Sequence, residues 1–203
     1  MLARMATKYQ DALLLASASP RRHQLLTQAG VRFEAIESGV QEQRMAGEAA
    51  AAYALRLAQD KAGAVAARYP AAWVLGADTV VVVGTEVLEK PRDRAHARWM
   101  IGLLAGHAHQ VITGFALMRA ERLLECQAVT SLVTFRPLSA GEIEAYILTE
   151  EPYDKAGAYA VQGQGRSLIE KVEGSLTNVM GLPIEEVMAA LARHGIDRAK
   201  RAV

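Results

Sequence analysis

A chain of 203 residues is long enough for one substantial core, or for one domain with two lobes. Lys and Arg number 23 against 22 Asp and Glu, and the net charge of +1 excludes a general electrostatic drive towards nucleic acid or anionic membrane, so any anion recognition must be local. The single cysteine, Cys126, excludes an intrachain disulfide and a cysteine-rich metal site, and the absence of a signal-like or membrane-length apolar run predicts a soluble cytoplasmic protein.

In chain order, Leu13-Leu14-Leu15-Ala16 predicts a buried strand that leads through Ser17-Ala18-Ser19 into a helix. Ser19 suits the N-cap, Pro20 the first helical position, and Leu25, Leu26 and Ala29 form an apolar stripe that stops at Gly30. Arg21 and Arg22 fall in the first turn, where the helix dipole disfavours cations. Two readings of this junction stand: a phosphate site built from helix N–H groups, the Ser17 and Ser19 hydroxyls and two guanidinium forks, or a capped surface helix with solvated arginines.

Val31 to Ile36 predicts a short strand, Glu37 to Gly47 a polar loop, and Glu48 to Arg68 a helix that ends before Pro70. The near-continuous apolar run from Trp73 to Gly84 predicts a central strand covered on both faces. A short return strand at Glu86–Leu88, a helix over Arg94–Leu104 closed by Gly106, and a long hairpin from His109–Met118 and Leu123–Phe135 follow. Ser139 with Glu142 spells a capping box for a helix to about Leu148. Residues 150–165, rich in Gly, predict loop or short irregular helix; Ser167–Val172 predicts a strand, and the last helix runs from near Pro183 to before Gly195. The pattern as a whole predicts a single α/β domain over 1–203, with an N-terminal extension over 1–12 and a basic tail over 196–203.

Asp78 is the most informative residue because it interrupts the apolar strand, and a buried carboxylate needs a cation, a metal or a dense set of donors. Gly76 just before it predicts a close approach of a ligand to the backbone. The alternative is a strand that ends at Leu75 and resumes at Val80 after a turn. Lys90 and Lys155, each beside an acid, read either as surface ion pairs or, with Arg21, Arg22 and Lys61, as a cationic cluster for a polyphosphate. Glu42 reads as a solvated loop acid, or with Asp78 as an oxygen ligand pair for a divalent metal. The amide of Gln162, in a Gly-rich loop, suits a base edge; this loop has neither the dinucleotide-binding spacing nor a P-loop Lys-Ser or Lys-Thr. His107 and His109 have no third nitrogen or sulfur ligand near them in the sequence, and no serine occupies a nucleophile elbow.

Taken in order, Ala16-Ser17-Ala18-Ser19-Pro20-Arg21-Arg22, Gly76-Ala77-Asp78-Thr79-Val80-Val81, Glu89-Lys90-Pro91, Asp154-Lys155-Ala156-Gly157-Ala158-Tyr159 and Asn178-Val179-Met180-Gly181-Leu182-Pro183 resemble the Maf family of nucleoside triphosphate pyrophosphatases. The resemblance runs from about Leu13 to the last helix. It implies a mixed twisted sheet with flanking helices and two lobes around a central cleft, as in the inosine triphosphate pyrophosphatases. It further implies a cytoplasmic enzyme, commonly a homodimer, that uses Mg²⁺ or Mn²⁺ to cut a nucleoside triphosphate into the monophosphate and pyrophosphate.

By the same resemblance Arg21 and Arg22, with Ser17, clamp the triphosphate, and Lys61, Lys90 and Lys155 line the phosphate channel. Glu42 and Asp78 serve metal and water, with Asp78 as general base. Arg21, Thr79 and Gln162 match the subgroup that acts on dTTP and UTP rather than the one that acts on 7-methyl-GTP, and the task implied is house-cleaning of nucleotide pools. Non-hydrolytic readings remain: a nucleotide sensor that binds dTTP without turnover, or a nucleic-acid-binding or cell-division regulator, the latter weakened by balanced charge and few aromatic residues.

Overall fold

The computed structural model describes residues 9–196, so the basic tail from residue 197 and the N-terminal extension up to residue 8 lie outside the described residues. β1 (Leu13–Leu15) leads into α1 (Pro20–Gln28), then β2 (Glu34–Ala35), α2 (Ala50–Ala66) and β3 (Trp73–Val83). After β4 (Glu86–Leu88) come α3 (Arg94–Leu104), β5 (Ala108–Arg119), β6 (Arg122–Phe135) and α4 (Ala140–Ile147). Short 3-10 turns over Glu151–Asp154, Ala156–Ala158 and Gln164–Leu168 precede β7 (Ile169–Glu173), α5 (Leu176–Val179) and α6 (Ile184–Arg193). Among the described residues, the strands form one seven-stranded mixed sheet in the order β2-β1-β3-β5-β6-β7, with β4 on β3. The α/β class expected from the sequence is the class found. No described helix is long and apolar enough to cross a membrane.

The chain divides into two compact units, and β3, β5 and β6 contribute residues to each. In the first unit β1 pairs in parallel with both β2 and β3, setting Leu14 opposite Glu34 and Val74. β2 is shorter than the expected Val31 to Ile36, because β1 offers it only Leu14 and Leu15 as partners. The core joins Leu14, Val74 and Ala116 of the strands to Ala58, Ala62, Val65 and Ala66 of α2. That much alanine lets the helix lie close on the sheet, and glycine lets it lie closer still.

A Cβ on Gly76 would stand 2.2 Å from the Ala58 carbonyl oxygen, and one on Gly114 2.6 Å from that of Ala54. The backbone that approaches Gly76 is therefore α2, not a ligand, and the sequence expectation is corrected on that point. Gly76→Ala is expected to destabilise the protein by about 2 to 3 kcal/mol, because a rigid helix backbone must move. Gly102, inside α3 with nothing within 4 Å of a built Cβ, is the control. Its replacement by alanine is expected to stabilise by up to about 1 kcal/mol, both changes being read as shifts in the urea midpoint at constant slope.

In the second unit β4 returns antiparallel on β3, with Val81 opposite Leu88 and Val83 opposite Glu86, and β7 pairs antiparallel with β6. Asp93 caps α3 by accepting from the His96 N–H at 2.7 Å, and Ser139 and Glu142 form the expected capping box on α4. His109 is buried against Phe135 and Tyr159, its Nε2 2.8 Å from the Tyr159 hydroxyl, and burial lowers its pKa to about 4. It packs as a core residue. The 3-10 turns fill the expected loop, and α5, which the sequence reading missed, is a single turn capped by Ser175.

Candidate active site

The site in the first unit grows from the β1–α1 junction. Ala16 N–H still donates to the Leu75 carbonyl at 2.8 Å, which keeps the chain beside β3 as the strand ends. Ser19 is the N-cap with Pro20 following, as expected, yet its side chain makes no cap bond. The Ser17 hydroxyl oxygen does the local work, accepting from the Ser19 N–H at 3.1 Å and from Arg22 Nη1 at 3.3 Å. No acid lies in the first turn of α1.

Arg21 and Arg22 differ in environment. Arg21 is half-buried, whereas Arg22 is 9% exposed, turned inward so that its Nε donates to the Gly181 carbonyl at 2.8 Å. The expected pair of open guanidinium forks is thus one outer and one inner arginine. A buried guanidinium requires acceptors and counter-charge, and Arg22 has Ser17 and Gly181 as acceptors with Asp78 and Glu42 as neighbouring negative charges. Burial lowers its pKa, and those two acids work against the shift. Gly181, beside Leu182 and Pro183, contributes a backbone carbonyl, which leaves no side-chain signature in the sequence.

Asp78 sits within the unbroken β3, which settles the choice between a continuous strand and a turn in favour of the strand. α2 supplies its partner. Lys61 follows Leu57 and Ala58 by one helical turn on the buried face, so its ammonium is carried in with the apolar stripe. Lys61 Nζ donates to Asp78 Oδ1 at 2.6 Å and to Glu42 Oε1 at 2.5 Å. The side chains of Lys61 and Asp78 are 7% and 9% exposed, while that of Glu42, on the loop, is 40% exposed. Burial raises the Asp78 pKa above the ordinary carboxylate value; Lys61 and Arg22 oppose the rise and Glu42 adds to it.

Glu42 and Asp78 therefore meet at one ammonium. Among the described residues no cluster of three or more His, Cys, Asp or Glu stands ready for a metal. The donor set still suits Mg²⁺, which is commonly held by one or two carboxylates and completes its octahedron with substrate oxygens and water. It does not suit an all-protein cage.

The remaining expected site residues belong to the second unit. Thr79, half-buried, is the next residue of β3, and Lys90 is exposed in the turn after β4. The Lys155 ammonium donates to the Glu151 carbonyl at 2.6 Å and pairs with Asp154. Gly157, with φ +70°, donates its N–H to the Glu89 carbonyl at 3.1 Å, tying the Lys90 turn to the Lys155 segment. Its Cα faces Val81, leaving 3.0 Å for a Cβ. Gln162 is exposed on the 160–165 loop.

The chain matches the family model for Maf-like proteins over residues 12–194. It is 51% identical over 193 residues to a protein of Myxococcus xanthus named dTTP/UTP pyrophosphatase, covering 95% of this chain and 97% of that one. Proteins of the same name from Salmonella typhimurium, 50% identical over 93% of this chain and 96% of theirs, and from Escherichia coli, 48% identical over 94% and 96%, are similar along their length. A solved dITP/XTP pyrophosphatase from Mycobacterium abscessus covers 90% of this chain and 93% of its own, at 16% identity and a TM-score of 0.42. With nearly the whole chain inside the family model and half of its residues shared with such relatives, the protein belongs to the Maf family.

Proposed function

We propose that this chain hydrolyses nucleoside triphosphates, dTTP and UTP foremost, to the nucleoside monophosphate and pyrophosphate. The observation that carries the reading is Asp78, a carboxylate buried in an apolar strand and bonded to an equally buried lysine. Such a group, with its pKa raised by burial, suits a general base. It takes the proton of the attacking water as oxygen bonds to the α phosphorus; the bond from that phosphorus to the bridging oxygen breaks, and pyrophosphate leaves with the electron pair.

Arg21, Arg22 and Lys61 are cations for phosphate oxygens, with Ser17 as a hydroxyl donor at the same junction. Lys90 and Lys155 are further cations for phosphate oxygens, while Thr79 and Gln162 recognise the nucleoside. Stabilising charge that grows on the leaving group is the main service a protein performs in this kind of transfer. A divalent ion, Mg²⁺ or Mn²⁺, held by Glu42 and Asp78 supplies Lewis-acid polarisation of phosphate oxygens when bound. The reading includes a cytoplasmic homodimer that clears nucleotide pools.

The test is a panel of nucleoside triphosphates, including 7-methyl-GTP, incubated with Mg²⁺ and assayed for monophosphate and pyrophosphate. Both products, made fastest from dTTP or UTP, are expected. No product from any nucleotide rejects the enzyme, orthophosphate with diphosphate rejects α–β cleavage, and a preference for 7-methyl-GTP rejects the subgroup.

A further inference from the structure

The Gly-rich segment that carries Gln162 is wound around a carboxylate. Glu151 Oε1 accepts from the Gly165 N–H at 2.7 Å and from the Tyr146 hydroxyl at 2.9 Å, and its Oε2 accepts from the Gln164 N–H at 3.0 Å. Successive backbone N–H groups closing on an anion form a nest, and here the anion belongs to the protein. Tyr146 tightens the arrangement, since its oxygen also accepts from the Ala160 N–H at 3.3 Å, at the start of the loop. Burial and the adjacent Glu151 raise the Tyr146 pKa, so the phenol stays a donor.

The glycines follow from the winding. Gly163 has φ +87°, and a Cβ on it would stand 2.3 Å from Glu151 Oε2; one on Gly165 would stand 2.3 Å from the Ala160 carbonyl oxygen. Gln162 lies between these anchors with its side chain exposed. The same Glu151 holds Lys155 through its backbone carbonyl. One residue thus ties down two segments to which the proposed function gives substrate contacts.

We propose that Glu151, braced by Tyr146, is the positioning residue for base recognition: its carboxylate holds the 160–165 loop so that Gln162 is presented to the base in one conformation. The inference rests on the reading of Gln162 as a base contact. Replacing the Glu151 side chain keeps the backbone carbonyl that holds Lys155 and leaves the phosphate-binding groups of the first unit intact, so discrimination and KM suffer while kcat does not.

Steady-state kinetics with dTTP and dATP test it in Glu151→Ala, Glu151→Gln, Tyr146→Phe, Gln162→Ala and the Glu151→Ala/Gln162→Ala double variant. In Glu151→Ala the KM for dTTP is expected to rise about tenfold and the dTTP-over-dATP preference to fall about tenfold, with kcat within about threefold of the parent. Glu151→Gln keeps one acceptor oxygen but turns an amide N–H₂ towards a backbone N–H, so it recovers part of the loss. The double variant is expected to lose no more preference than Gln162→Ala alone, because a loop without its reader has nothing to position.

An unchanged preference in both Glu151 variants, or fully additive losses in the double variant, overturns the proposal. Should the parent protein cleave no nucleotide, the function proposed above fails and the clamp is read from amide hydrogen exchange instead. Exchange at Gln164 and Gly165 is expected to be at least about tenfold faster in Glu151→Ala, and unchanged exchange there overturns the clamp.

Discussion

Asp78→Asn is expected to lower kcat/KM for dTTP by about 10³-fold in the presence of Mg²⁺, within the range for loss of a positioned general base. The substitution keeps the size of the side chain and its place on β3, so the loss falls on chemistry rather than on the fold. Monophosphate release at saturating and at limiting dTTP separates the two, and kcat should carry most of the effect. Activity equal to the parent removes Asp78 from the reaction.

Stability should move the other way. Burial is the largest influence on Asp78 and raises its pKa from 3.8 against the pull of Lys61 and Arg22. A group whose folded-state pKa is raised contributes stability that is complete below the unfolded value and is lost as pH rises through the folded one. Once pH exceeds the folded-state value the wild type has lost that contribution, whereas asparagine never carries the charge. The Asn variant is therefore expected to melt at or above the wild-type temperature near neutral pH, with the difference closing as pH falls towards the ordinary carboxylate value. A lower melting temperature near neutral pH means that attraction to Lys61 and Arg22 outweighs desolvation. The expected result is a site kept charged for its chemistry at the expense of the fold.

Much of the frame was legible because its signals are local. The apolar run of β3, the Ser139–Glu142 box and the apolar spacing of α3 each lie within a few residues, and the structure has them where the sequence placed them. What escaped is contact between segments distant in sequence. Lys61 reaches Asp78 only because α2 packs on β3, and that packing depends on Gly76, which the sequence offered as a place for a ligand. The stripe Ala54, Ala58, Lys61 and Val65 does announce a buried lysine once the apolar face is extended by a turn. The bond from Arg22 to Gly181 uses a backbone oxygen, and Glu151 acquires its partners only where the 160–165 backbone closes on it. Neither leaves a pattern in composition or period.

Lys61→Met tests the centre of the site most severely. Methionine replaces the stem but not the ammonium, so Asp78 stays enclosed without the cation 2.6 Å from its Oδ1. Breaking a buried pair from one side is costly, and a loss of about 3 kcal/mol is expected at about pH 8, measured by urea unfolding. Removing the cation also removes the strongest attraction that holds the Asp78 pKa down, so that pKa rises further. Two consequences share this cause. The acid limb of the kcat/KM profile moves to higher pH, because Asp78 must lose its proton before it can act as a base. The stability deficit shrinks as pH falls through the raised Asp78 value, because a protonated Asp78 no longer needs a counter-charge. The double variant Lys61→Met/Asp78→Asn should recover most of the loss at about pH 8, since the uncompensated charge is then absent. A single-variant loss below about 1 kcal/mol would place the pair with ordinary solvated ion pairs and remove the basis for a base activated by burial.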